Sequence, residues 1–335
     1  MHRKGRGRME MTAPNIEPDG GPGATLAVAI TRAASAQSYY TIRFLADNSR
    51  VDDAFRAYAY FRWVDDWLDL GAHGRVERLA FVARQQALLE ACTREEPPAD
   101  LVPEERLLVD LVRREAETNR LDVQRGPREA RNSGLQLYLR NMMAVMAFDA
   151  ARCGRAISGR ELDEYTRWLA VGVTEALHHF IGHNCASPRG EARYLAVTGA
   201  HIVHMLRDAR EDAEAGYFNI PSEVLAAGGI APWDVESRAY RDWVRERVRK
   251  ARACFTSGQA YLGQAESLRC RIAGYAYIHR FAMVLDCIER EGYLLRWAYP
   301  ERKGGSRVVE TLGGALWLAL TYRQQARLAP AIPAR

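Results

Sequence analysis

No apolar run in these 335 residues approaches the 18 or so that a membrane-spanning helix needs, so a spanning segment is excluded and a soluble chain expected. The six cysteines (Cys92, Cys153, Cys185, Cys254, Cys270 and Cys287) include no CxxC pair. That scatter gives no zinc-site spacing and no disulfide framework, and it fits a reducing cytoplasm. No segment alternates apolar and polar residues convincingly, which argues against strands. No Gly-rich dinucleotide fingerprint is present. Charge of one sign is scarce too: 47 Lys and Arg against 42 Asp and Glu leave +5, with arginines spread among acids. That balance argues against nucleic acid as a partner, while a basic face would suit peripheral visits to an anionic membrane.

What is present is helical periodicity. Residues 1–23 mix basic side chains with Pro14, Pro18, Gly20, Gly21, Pro22 and Gly23, a composition that cannot bury a core, and a disordered tail is expected there. The apolar stretch of residues 24–30 imitates a signal peptide. It is too short, and Glu10, Glu17 and Asp19 interrupt its approach. Apolar residues then recur at spacings of three and four over 50–70, 76–92, 104–118, 132–151, 160–184, 191–214, 235–263, 270–297 and 308–325. Between them fall turn signals at 71–74, Pro97-Pro98, Gly126-Pro127, 187–190, Gly228-Gly229 and Gly304-Gly305. The pattern, with 48% hydrophobic residues, predicts an all-α single-domain bundle of about ten helices over 24–327, followed by a tail at 328–335.

Two acidic clusters stand out, Asp65-Asp66-Trp67-Leu68-Asp69 and Asp208-Ala209-Arg210-Glu211-Asp212. Each sets two aspartates four residues apart, which stacks both carboxylates on one helical face. Like charges so placed destabilise a helix by a few tenths of a kcal/mol unless a cation sits against them. Magnesium takes oxygen ligands, keeps several waters and shares its shell with substrate phosphates, so two carboxylate pairs with arginines nearby point to diphosphate chemistry. Tyr58 and Arg62 precede Asp65 on the same side of its helix, and His201 and His204 share a face with Asp208 and Asp212, with Arg207 beside them. Five of the eight histidines fall between 178 and 204. Glu175, His179 and His183 lie four residues apart, and Glu175-Ala-Leu-His178 has the Glu-x-x-His form of di-iron bundles, which opens a transition-metal alternative to pocket-lining histidines.

These residues resemble a known family. Ser38-Tyr39-Tyr40, Phe44-Leu45, Arg50, Ala57-Tyr58-Ala59-Tyr60-Phe61-Arg62 and Val64-Asp65-Asp66-Trp67-Leu68-Asp69 are similar to the opening signature of the squalene and phytoene synthases. Met205 through Asp212, with Gly216 and Ile220-Pro221, resembles the second signature. Met146-Ala147-Phe148-Asp149, Tyr165, Leu285 through Glu289 and Gly292-Tyr293 also match, so the likeness spans residues 35–298. The resemblance implies the isoprenoid-synthase fold around a deep central cavity. By the same likeness Asp65, Asp69, Asp208 and Asp212 would hold about two or three Mg2+ ions on prenyl diphosphates. Ser38, Tyr58, Arg62, Tyr165 and Arg207 would contact diphosphate or shape the cation pocket, with Phe61, Trp168, Phe180 and Phe281 as candidate walls.

Departures from the family pattern gather near the site. His201 and His204 stand where glutamine and asparagine are usual, Val171 and Thr174 add bulk in a glycine-rich turn of helix, Tyr217 and Asn219 replace arginine and tyrosine, and Phe281 stands where tyrosine is frequent. The family's chemistry is head-to-head condensation of two prenyl diphosphates. An alternative keeps one diphosphate site and transfers the prenyl group to a non-isoprenoid aromatic acceptor, with His201 or His204 as general base or acceptor contact. A third makes the chain a non-catalytic relative, against which all four signature aspartates survive. Reduction of an intermediate by NADPH has no motif to support it, although reducing members of the family lack one as well. Oligomeric state is not legible.

Overall fold

The computed structural model describes residues 21–69, 73–124, 134–183, 185 and 187–300. The tail of residues 1–20, the break at 71–72, Gly126-Pro127, Gly304-Gly305, the helix expected over 308–325 and the tail at 328–335 lie outside the described residues. Within them the chain forms helices and no strand: α1 (Pro22–Ala34), α2 (Ala36–Leu45), α3 (Val51–Asp69), α4 (Arg75–Thr93), α5 (Pro103–Gln124), α6 (Gly134–Arg152), α7 (Gly159–Phe180), α8 (Leu195–Glu214), α9 (Ser222–Gly228), α10 (Arg238–Gln264) and α11 (Leu268–Arg290). Short 3₁₀ turns at Asn48–Arg50 and Glu191–Tyr194 lead into α3 and α8.

Helix starts follow capping chemistry. Ser35, Ser158, Ser237 and Ser267 each accept a backbone N–H of the first turn of α2, α7, α10 and α11, and at α7 Glu161 returns the bond to Ser158. Several boundaries differ from the sequence reading: α5 runs on to Gln124 rather than 118, α11 stops at Arg290 rather than 297, and two further cases have a local cause. Pro22 and Gly23 belong to α1 rather than to a tail, because the fixed φ of proline suits a first helical turn. α7 stops at Phe180 rather than 184, since Gly182 takes a positive φ of 81° where a side chain would strike Ser267. The periodic windows also omit α1, α2 and α9; α2 and α9 bury no residue, so they leave no apolar stripe to find.

Two buried clusters form the core. One gathers side chains of α1 and α3–α7 together with Met205 of α8 and Cys270 and Ala273 of α11, the other those of α8–α11. α8 and α10 touch almost backbone to backbone: a Cβ on Gly258 would lie 2.7 Å from the Ala196 nitrogen, and one on Gly199 would lie 2.8 Å from the Phe255 ring. Backbone cannot swing aside as a flexible side chain can. Gly258→Ala is therefore expected to destabilise the fold by about 1–3 kcal/mol, the usual toll of overpacking. Gly159→Ala, with nothing within 4 Å of its new methyl, serves as the control. Equal melting temperatures for the two variants would refute the close-contact argument.

Candidate active site

α3 projects Arg62, Asp65, Asp66 and Asp69 from its last two turns. Arg62 donates to Asp66 and lies 3.4 Å from Asp65. Burial pushes the Asp65 carboxyl up to about 7, with Asp69 and Asp149 repelling its charge further and Arg62 opposing. Asp69 is raised by burial and again by Asp149. Tyr58 is half-buried one turn before Arg62 and within its electrostatic reach.

The second pair behaves unequally. Burial raises Asp208, but hydrogen bonds from His204 and Arg207 outweigh it and hold the carboxyl well below the usual range. Asp212 is pushed up to about 7 by burial, with Asp208 and Asp149 adding repulsion against the Asn219 amide, which donates at 2.6 Å.

Asp149 of α6 thus acts on members of both pairs, which places α3 and α8 around one carboxylate. It accepts from the Tyr165 hydroxyl at 2.8 Å and from Arg152 Nε at 2.6 Å, and Arg152 donates onward to Asn219 at 3.0 Å. The chain Asp149, Arg152, Asn219, Asp212 ties α6 to α8. Arg78 of α4 adds positive charge near Asp69 and Tyr217, and Nε of Arg78 and of Arg62 is buried with no partner. Asp149 appeared in the sequence only as a matching position, Asn219 only as a departure, and Arg78 and Arg152 not at all. Their roles depend on contacts between distant segments, for which local spacing holds no signal.

The remaining candidates sit as follows. Tyr165 is buried, with its ring 5.0 Å from that of His201. His201 is 4% exposed and neither ring nitrogen has a partner. His204 is half-exposed, with Nε2 2.9 Å from Asp208 and its ring 6.4 Å from that of Phe281. Phe281 is buried against Tyr277. Arg207 is paired with Asp208. Ser38 is half-buried, and its backbone N–H caps α2 on Ser35. Of the proposed walls, Phe61 and Phe180 belong to the core, while Trp168 lies 6.1 Å from Phe148, beside Tyr165.

The alternative metal site at Glu175, His179 and His183 does not assemble. Glu175 is held by two Arg193 nitrogens at 2.7 and 2.9 Å, whereas His179 and His183 both bond Arg50, at 2.6 and 3.0 Å. Among the described residues no three His, Cys, Asp or Glu side chains converge closely enough to hold an ion by themselves, the four signature aspartates included. The donor set still suits magnesium. It is all oxygen, it comes as pairs on separate helices, and magnesium needs only one or two carboxylates when phosphates and water complete its shell. A cleft of about 240 Å³ bounded by Leu89, Cys92, Glu115 and Leu139 belongs to α4–α6 and includes none of the aspartates.

The helices of this all-α fold thus carry the aspartate pairs around a shared acidic centre. The squalene/phytoene synthase family model matches residues 31–304, and the chain belongs to that family. Among solved structures, the squalene synthase HpnC of Alicyclobacillus acidocaldarius is similar at 17% identity and a TM-score of 0.62, over 82% of this chain and 95% of that one. A dehydrosqualene synthase crystallised with a ligand is similar at 15% identity and a TM-score of 0.66, over 90% and 97%. No curated protein matches the chain.

Proposed function

We propose that this enzyme is a magnesium-dependent synthase that condenses two allylic prenyl diphosphates head to head into a squalene- or phytoene-like hydrocarbon. The observation that carries the proposal is the reach of Asp149 to Asp65 and Asp69 of one pair and Asp212 of the other, with Asp65 and Asp212 each raised to about 7 by burial and neighbouring carboxylates. Such crowding is unfavourable until a cation enters. Magnesium, held by Asp65, Asp69, Asp208 and Asp212, would supply the positive charge that lets diphosphate depart. Arg62 and Arg78 lie near Asp69, and Arg207 is paired with Asp208. The unsatisfied Nε–H groups of Arg62 and Arg78 are donors that a diphosphate oxygen satisfies. Tyr165, fixed by its bond to Asp149, and Phe281 keep water from the allylic cation.

One observation favours a second reading, transfer of one prenyl group to an aromatic acceptor. A buried neutral imidazole offers one donor and one acceptor, and leaving both unmade costs about 1–3 kcal/mol per group. His201 is such a residue. A hydrocarbon chain gives it nothing to bond, whereas an acceptor hydroxyl can bond one of its nitrogens.

Incubation with magnesium and labelled diphosphates of ten, fifteen or twenty carbons separates the two. Head-to-head condensation yields a product of doubled carbon number, and His201→Phe retains it. Consumption of diphosphate without a doubled product rejects the first reading. Under the second, a phenolic acceptor restores product formation and His201→Phe lowers it by about 10²-fold or more.

A further inference from the structure

α2 buries none of its ten residues. Its inner side is engaged, with Tyr39 packed 5.7 Å from Phe55. The outer side carries Tyr40 and Phe44, 54% and 68% exposed, one turn apart, their rings 6.0 Å apart and parallel to within 5°. The ridge continues onto α11. Arg269 donates to the Ala46 carbonyl at 3.1 Å and to Asp47, which brings the half-exposed Leu268 to the C-terminal end of α2.

Charge on the α1–α2 side of this ridge is almost all positive, while Glu266 is an exposed acid two residues before Leu268. Asp47 is the only acid between residues 21 and 50. Its carboxylate is taken up by the backbone N–H groups of Gly182 and His183 and by Arg269. Arg43 lies on α2 itself, Arg32 sits over the Tyr39 ring at 5.7 Å, and Arg280 donates to Gln37. An exposed apolar ridge whose α1–α2 side is rimmed by guanidinium groups, with Asp47 already occupied, complements a surface that is apolar within and anionic at its rim.

We propose that the Tyr40–Phe44–Leu268 ridge docks the protein on the surface of a bilayer containing anionic phospholipid. The aromatic rings and Leu268 enter the boundary between headgroups and acyl chains, and the arginines meet lipid phosphates. Docking here is peripheral: no described helix is long and apolar enough to cross a membrane. The inference is independent of which acceptor the enzyme uses.

The test is sedimentation of the full chain with vesicles of phosphatidylcholine alone or mixed with phosphatidylglycerol. Binding is expected to the mixed vesicles, with about 10-fold loss on phosphatidylcholine alone or in 0.5 M salt, as screening predicts. Tyr40→Ser combined with Phe44→Ser is expected to weaken binding by about 10-fold or more at an unchanged melting temperature, because each ring withdrawn forfeits its apolar burial. Arg43→Glu is expected to weaken it in the mixed vesicles only. Equal sedimentation of wild type and the double variant overturns the proposal. So does a dimer in solution that the double variant dissolves, which would assign the ridge to a second copy of the chain.

Discussion

Asp65→Asn and Asp208→Asn are each expected to lower turnover of prenyl diphosphate by about 10³-fold or more. A bound magnesium contributes several kcal/mol of transition-state charge stabilisation, and each 1.36 kcal/mol is a factor of ten. The two variants should part company in stability. Asp65 is raised by burial and by its acidic neighbours, so the folded state disfavours its charge and a neutral amide is tolerated or stabilising at pH 7. Asp208 is held low by His204 and Arg207 in spite of burial, so losing its charge removes stabilisation, on the order of 1 kcal/mol for a partly exposed cluster. Release of labelled diphosphate together with thermal melts followed by circular dichroism checks both halves. Full turnover in either variant would remove that residue from the metal-binding role.

The second large effect is on folding. Arg50, 11% exposed at its side chain, bonds Glu115 at 3.0 Å as well as His179 and His183. Glu115→Ala leaves that guanidinium buried against two imidazoles, and stability should fall by about 3–5 kcal/mol. Replacing both partners, Arg50→Met with Glu115→Leu, should recover most of the loss. The same region sets an acid limit. Burial, with Arg50 and His183 beside it, lowers His179 to about 2, and burial with Arg193 nearby lowers His178 to about 4. Unfolded histidine titrates near 6.5, so below that pH the unfolded chain binds protons that the folded chain refuses. This stability is complete above about 6.5 and drains as pH falls toward 4, at about 1.4 kcal/mol per unit for each histidine. Urea midpoints that do not change between pH 7 and pH 5 would contradict it.

How far the sequence led depends on the range of each interaction. The aspartate pairs, Tyr58 and Arg62 were legible because helical spacing alone determines which side chains share a face. The same rule misled at Glu175, His179 and His183, which do share a face but are drawn to Arg193 and to Arg50, partners far off in the chain. Spacing names the face, not what meets it. Asn219 read as a lost tyrosine, yet its amide joins Arg152 to Asp212 across helices. His204 read as a general base or acceptor contact, and the fold sets its Nε2 against Asp208.

The glycine seam between α8 and α10 bears on how substrate is received. With Gly199 and Gly258 letting the two backbones touch, α8 has little freedom to slide or roll before ligand arrives. Alignment of Asp208 and Asp212 is therefore completed during folding, and the entropy of ordering that helix is not charged again to each binding event. On the proposed function, recognition at this side of the site works as lock rather than as glove, and changes in α10 that never touch substrate are expected to be felt in affinity.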